Sequence, residues 1–235
     1  MESLLPSPIG FGHRGARAHA PENTLESFVL ARRLGATGLE SDVWLTADGV
    51  PVLDHDGVVG GRMRRRPIAD VRRADLPVHV PTLPELYETC GTDYELSLDV
   101  KDPAAAGPVL AVAREAGGDA MRRLWLCHPD WELVASWRAL SDDVRLVDST
   151  RLRKIKEGPE RRAADLAAAG IDAINMHATD WTGGLTTLFH RFDRLAFAWD
   201  AQFPRVLASL LHMGMDAVYS DHVDRMMDAL EAAAR

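Results

Sequence analysis

The chain has 235 residues, 46% apolar and 26% charged, the make-up of a soluble globular protein long enough for one large domain or two small ones. A formal net charge of −8 excludes a general nucleic-acid binder, which needs a basic face, and argues against constitutive attachment to an anionic membrane. The start, Met1-Glu2-Ser3-Leu4-Leu5, has no basic region of a secretory leader, and no apolar run approaches the roughly 18 residues of a membrane span, so the expected location is cytoplasmic.

Eight β-like runs alternate with eight helix-like ones. Strands are predicted near 8–13, 38–44, 94–100, 122–127, 144–148, 171–175, 195–199 and 216–220. Helices are predicted near 24–35, 83–90, 104–116, 130–140, 159–169, 184–191, 203–213 and 222–234. The first helix carries a start signal, Asn23-Thr24-Leu25-Glu26, read as a capping box with Asn23 as the N-cap. Helix-to-strand joints repeat a Gly-x-Asp theme at Gly170-Ile171-Asp172 and Gly214-Met215-Asp216. Strict βα alternation with short joints implies a parallel sheet, and eight units imply closure into a (β/α)8 TIM barrel. An open doubly wound sheet is the alternative, but no Gly-rich dinucleotide or phosphate loop follows any strand. The one excursion, residues 45–93 between the second and third strands, is too short for a domain of its own, so 1–235 is expected to be a single domain. Within it, Thr46-Ala47-Asp48-Gly49 turns into Val50-Pro51-Val52-Leu53-Asp54-His55, a hairpin that brings His55 back toward the second strand.

The chemistry-bearing residues fall at strand ends, where barrels of this type keep their active sites. Glu40 and Asp42 are two apart on one strand and share a face. On the third strand Tyr94, Leu96, Leu98 and Val100 can face helices, leaving Glu95, Ser97, Asp99 and Lys101 pointing inward. Such a row is costly without a cation or a function to balance it. Lysine is scarce, 3 against 24 arginines, which adds weight to Lys101. Glu40, Asp42 and Asp99 make an all-oxygen set for a hard cation, Mg²⁺ or Ca²⁺. Arg14 and Lys101 supply positive charge for an anionic group, and His13 and His55 can remove and donate protons. A cation, two positive side chains and an acid/base pair suit hydrolysis of a phosphodiester.

The run Gly12-His13-Arg14-Gly15-Ala16, then Pro21-Glu22-Asn23-Thr24, Glu40-Ser41-Asp42-Val43, Thr46-Ala47-Asp48-Gly49 and His55-Asp56 resembles the glycerophosphodiester phosphodiesterase family. The likeness continues through Pro81-Thr82-Leu83-Pro84-Glu85 and Asp99-Val100-Lys101 and fades after about residue 102. It implies a TIM barrel, a divalent ion, and a small glycerophosphodiester substrate cleaved to sn-glycerol 3-phosphate and an alcohol. His13 and His55 would be the acid/base pair, Arg14, Lys101 and Trp199 substrate contacts, and Glu40, Asp42 and Asp99 the metal ligands. Three departures bear on the pocket. Asp99 stands where most members carry Glu, Trp199-Asp200-Ala201-Gln202 replaces a common Trp-Thr-Val-Asn, and Cys127-His128-Pro129-Asp130 replaces a Ser-Phe pair.

Other residues have plainer readings. Asp221 is expected to cap the last helix, and Pro21 through Thr24 and Asp48-Gly49 to shape turns. Cys90 and Cys127 read as buried free thiols, and the run Arg62 to Arg66 as a solvated basic loop. His128, Asp148, His177 and Trp181 are further pocket candidates. The rival functions are a phospholipase of the sphingomyelinase D type and a catalytically inactive phosphodiester-binding protein. Lys101 and the Pro-Glu-Asn-Thr segment argue against the first, intact His13 and His55 against the second. The sequence leaves the oligomeric state open.

Overall fold

The computed structural model describes residues 2–61 and 65–235, so most of the basic run from Arg62 to Arg66 lies outside the described residues. The strands are β1 (Ile9–Gly12), β2 (Gly38–Leu45), β3 (Pro51–Leu53), β4 (Val58–Val59), β5 (Arg66–Pro67), β6 (Glu95–Val100), β7 (Leu124–His128), β8 (Arg145–Thr150), β9 (Ala173–His177), β10 (Leu195–Trp199) and β11 (Ala217–Ser220). Eight of them form the barrel. The helices are α1 (Leu25–Arg33), α2 (Leu83–Cys90), α3 (Ala106–Ala116), α4 (Trp131–Ser136), α5 (Pro159–Ala168), α6 (Gly183–His190), α7 (Pro204–His212) and α8 (Val223–Ala233). The sheet runs β1-β11-β10-β9-β8-β7-β6-β2 in parallel, and β1 also pairs with β2, so the ring closes into the expected (β/α)8 barrel. No helix among the described residues is long and apolar enough to cross a membrane.

Strand alternation sorts the two cores. On β6, Leu96, Leu98 and Val100 join the layer between strands and helices, while Ser97 turns inward. Inside the barrel, Phe11 stacks on Tyr219 with ring centroids 4.6 Å apart, and Trp125 meets Phe197 edge-on at 5.1 Å. These rings fill the middle of the barrel and leave polar residues to its ends, with Glu95 at the amino end accepting from Trp125 Nε1. The Gly-x-Asp joints have a common job. Asp172 accepts from Leu146 N at the start of β8 (2.8 Å), and Asp216 accepts from Ala196 N at the start of β10 (2.7 Å). Each aspartate thereby satisfies a backbone donor of the preceding strand that the ladder leaves open.

The excursion folds as expected. β3 runs antiparallel to β2 with Val43 opposite Leu53, and Asp54 N donates to Asp42 O, which returns the chain to the mouth of the barrel just before His55. A small core of Val52, Ile68, Val71, Leu76 and Val80 fixes this unit. The helix start differs from expectation by one residue. Thr24, not Asn23, is the N-cap of α1, its Oγ1 accepting from Ser27 N. Asn23 instead adopts a left-handed backbone (φ 54°) and accepts from Ser41 Oγ on β2 at 2.7 Å, which ties the loop to the barrel. A full capping box does occur, at Thr82 and Glu85 on α2. Cys127 is buried as expected, whereas Cys90 is only half-buried.

Candidate active site

Residues from every barrel strand, or the loop that follows it, converge on one cavity of about 310 Å³ at the carboxyl ends of the strands. All eight residues singled out from the sequence line it: His13, Arg14, Glu40, Asp42, His55, Asp99, Lys101 and Trp199. Ser97, Cys127 and Tyr219 form its floor, with Ser97 Oγ 3.0 Å from Tyr219 Oη and 3.3 Å from Cys127 Sγ.

The first loop explains much of the motif around His13. Arg14 is forced to φ 51°, an unfavourable conformation for a residue with a side chain, and this aims its backbone N–H at Glu40 Oε2, 2.9 Å away. Gly15 follows at φ 86°, and a Cβ there would lie 2.5 Å from Ser27 Oγ. Only glycine fits between this turn and α1. Ser27 completes the tie, accepting from Ala16 N and donating to Arg14 O. Glu22 bonds the Arg14 guanidinium at 3.0 Å and contacts Arg17 at 2.5 Å, so Pro21 through Thr24 hold the arginine and begin the helix.

His13 has a partner that sequence reasoning missed. Its Nδ1 lies 2.6 Å from Asp221 Oδ1, just past β11, and its Nε2 lies 3.8 Å from Glu40 Oε2. Burial alone would weaken proton binding at His13, but Glu40 and Asp221 outweigh it and hold its pKa above the ordinary 6.5. For Asp221, burial favours the neutral acid, yet the bond from His13 wins and keeps its pKa below the ordinary 3.8. The expected capping role is therefore corrected: the N-cap of α8 is His222, which makes no side-chain cap bond, and Asp221 accepts from His13. An aspartate just before a helix carries no local sign of such a distant partner.

The acids share their charge with fixed cations. Lys101 Nζ lies 2.5 Å from Asp99 Oδ2 and 3.0 Å from Asp42 Oδ1, and Arg14 Nε is 3.4 Å from Asp42 Oδ2. Burial opposes the Lys101 charge, but Asp99 and Asp42 more than restore it, so its pKa lies above the usual lysine range. Glu40 is almost fully enclosed; burial pushes its pKa up to about 7 against the pull of His13. Asp42 Oδ2 is buried without a hydrogen-bond donor, with the Arg14 guanidinium as its nearby cation. The oxygens of Glu40, Asp42 and Asp99 do not all come within 4.8 Å of one another. Among the described residues the one His/Asp/Glu/Cys group that does is His19, His222 and Asp224 where the first loop meets α8, with His19 and Asp224 exposed and His222 half-buried. On the other wall His55 is half-exposed and bonds Asp56 at 2.9 Å.

The further pocket candidates mostly lie elsewhere. Asp148 is buried against Arg162 of α5 (2.7 Å), Trp181 is core and donates to Phe197 O, and His128 accepts from Asp130 N at the start of α4. His177 stands at the rim, bonded to Asp200 and edge-on to Trp199. Four lining residues carry no signal in the sequence, Ser149, Thr150, Lys154 and Asn175. No charge pattern or repeat marks them.

Residues 13–225 match the Glycerophosphoryl diester phosphodiesterase family. A Mycobacterium tuberculosis protein named "Probable glycerophosphodiester phosphodiesterase 2" is 27% identical, over 95% of this chain and 91% of its own. A Thermotoga maritima glycerophosphodiester phosphodiesterase shares the fold with TM-score 0.81 at 22% identity, covering 95% of this chain and 99% of that one. An Oleispira antarctica phosphodiesterase, solved in complex with the product sn-glycerol-3-phosphate, matches with TM-score 0.84 at 21% identity, over 96% and 97% of the two chains.

Proposed function

Because the chain belongs to the glycerophosphoryl diester phosphodiesterase family, and is therefore a phosphoric diester hydrolase, we propose that it cleaves glycerophosphodiesters to sn-glycerol 3-phosphate and an alcohol by metal-assisted His/His catalysis. The observation that carries this reading is that two histidines, two cations and three acids from four separate segments line one small cavity. The acids fit a hard cation. Asp42 Oδ2, which has no hydrogen-bond donor, and the buried Glu40 offer oxygen ligands, with Asp99 close by across Lys101. Mg²⁺ is commonly held by only one or two carboxylates, with water and phosphate completing its shell, so a fully closed cage is not required. Such an ion, when bound, polarises the phosphoryl group and neutralises charge that builds on its oxygens.

The protein's own residues would do the rest. Arg14 and Lys101 hold the anionic phosphodiester, Arg14 by its planar fork and Lys101 as a point charge. With Asp221 bonded to Nδ1, His13 presents Nε2 inward, and its raised proton affinity suits it to donate to the leaving alkoxide. His55 would take the proton from the glycerol hydroxyl beside the phosphate, whose oxygen bonds to phosphorus as the alcohol departs. A cyclic phosphate results. In the second half the roles reverse, His13 deprotonating water and His55 reprotonating the glycerol oxygen as the ring opens.

The test is to incubate the purified protein with glycerophosphoglycerol, glycerophosphocholine and lysophosphatidylcholine in Mg²⁺ or Ca²⁺ and measure sn-glycerol 3-phosphate. Release from the first two supports the proposal and excludes an inactive binding protein. Cleavage of the lysolipid alone would favour the lipid-acting rival, and no release from any would defeat the reading.

A further inference from the structure

Lys154 lines the same cavity as Arg14 and Lys101, yet its ammonium finds no hydrogen bond or ion pair among the described residues. The acids of the surrounding segments are already taken. Asp180 pairs with Arg151 at 2.6 Å, and Arg162 engages both Asp148 (2.7 Å) and Glu157 (2.6 Å). Beside Lys154 in the cavity wall stands Asn175 on β9, only 6% exposed, whose Oδ1 has no donor. That oxygen is shut off from solvent, so what the Asn175 amide can offer a ligand in the cavity is its NH2 group, a donor for a hydroxyl or anionic oxygen. Ser149 and Thr150, at the end of β8, line the same cavity.

Charge balance indicates what this wall receives. On the proposed function, on which this inference rests, three carboxylates, two cations and a divalent ion leave one positive charge, which one phosphodiester cancels. Lys154, exposed and without an acid partner, is then surplus to the phosphate site and is available to meet a negative charge on another part of the substrate. We propose that Lys154, Asn175, Ser149 and Thr150 form a subsite for an alcohol half that carries hydroxyl groups and a negative charge, such as a phosphorylated polyol. A cationic alcohol such as choline would meet Lys154 as a like charge, and its quaternary ammonium offers no acceptor to the Asn175 amide.

The test compares kcat/KM for glycerophosphoglycerol, its terminally phosphorylated analogue and glycerophosphocholine in the wild type, Lys154→Gln and Lys154→Arg, with products followed by ³¹P NMR. The wild type should favour the phosphorylated analogue over the choline diester. In Lys154→Gln the ratio of anionic to neutral substrate should fall about tenfold or more, the scale of one charge-assisted hydrogen bond, and Lys154→Arg should keep it. If the ratio is unmoved in Lys154→Gln, or the wild type prefers choline, the subsite is wrong while the diesterase reading stands. If the wild type hydrolyses none of the three, that reading fails and the subsite with it.

Discussion

His13 Nδ1 and Asp221 Oδ1 meet at 2.6 Å across the seam where β1 and β11 close the barrel, joining residues 208 positions apart. The carboxylate accepts the Nδ1 proton, so it fixes the tautomer and turns Nε2 toward Glu40 and the cavity. Asp221→Asn should keep the ring in place but remove the charge that favours the imidazolium. We expect kcat to fall about 10²-fold, within the range of a general acid–base contribution, with KM little changed. The limb of the pH–rate profile that reports loss of the His13 proton should move to lower pH. A residue with a merely structural role would leave that limb where it is.

The same pair predicts a stability window. His13 has a folded-state pKa above 6.5, so its contribution is complete below that pH and is lost as pH rises through the folded value. Asp221 has a folded-state pKa below 3.8, so its contribution is present above 3.8 and is lost as pH falls through the folded value. Both contributions are therefore intact between about pH 4 and 6.5. In chelator, urea unfolding should show the wild type exceeding Asp221→Asn by about 1–2 kcal/mol in that window and by less on either side. Some difference should persist at high pH, because Arg17 also lies 3.5 Å from Asp221. A difference that does not vary from pH 3 to 9 would contradict the pairing.

His13→Ala and His55→Ala should each cut turnover by at least about 10²–10⁴-fold with the circular dichroism spectrum unchanged; His55→Ala should keep the wild-type unfolding midpoint, whereas His13→Ala should lose the about 1–2 kcal/mol of its pairing with Asp221. Both side chains border the cavity and pack in neither core, which is why the fold should tolerate their loss. Near-normal rates in both variants would refute the acid/base assignment.

What is legible in the sequence follows from the range of each signal. Strand and helix periods are local, so all eight barrel strands and eight helices lie within a few residues of their predicted places. The hairpin is also local, with a turn at Asp48-Gly49 that carries His55 to the cavity wall. What escapes a sequence reading is long-range or lacks a pattern. Asp221 precedes a helix and reads as its cap, and nothing near it in sequence points to His13. Arg162 sits in the polar helix Pro159–Ala168 with no local sign of a partner, yet it is buried against Asp148. Asn23 and Thr24 are both good caps, and the choice of Thr24 depends on Ser41, on another strand, claiming Asn23. Lys154 and Asn175 reach the cavity through barrel geometry alone.

Gly15 offers a test of why the first loop has its sequence. Alanine there would carry the left-handed backbone cost and place Cβ 2.8 Å from the backbone carbonyl carbon of Ser27, which cannot swing aside. Gly15→Ala should cost about 2–4 kcal/mol, the sum of conformational and overpacking costs, and should lower activity by displacing Arg14 and His13. Gly117 also has positive φ (73°), but an alanine Cβ there would meet nothing within 4 Å, so Gly117→Ala should cost only about 1 kcal/mol. Equal losses in denaturant titrations would show that the contact with Ser27 is unimportant.

Lys101 bridges Asp99 and Asp42, so two of the three acids already share a cation supplied by the chain. If the site takes a divalent ion as well, EDTA should abolish activity and lower the melting temperature, and Mg²⁺ or Ca²⁺ should restore both. Asp99 would be the ligand with the short arm, and lengthening it tests whether it touches the ion. Ca²⁺ accepts six to eight oxygens at about 2.3–2.6 Å in loose geometry, whereas Mg²⁺ demands an octahedron at about 2.0–2.1 Å. One added methylene should therefore disturb Mg²⁺ and Ca²⁺ unequally. Asp99→Glu should change the ratio of Mg²⁺- to Ca²⁺-supported kcat/KM several-fold, and change the melting shift produced by each ion in the same sense. An unchanged ratio with unchanged melting shifts would leave Asp99 as the partner of Lys101 alone, and full activity in EDTA would remove the metal from the mechanism.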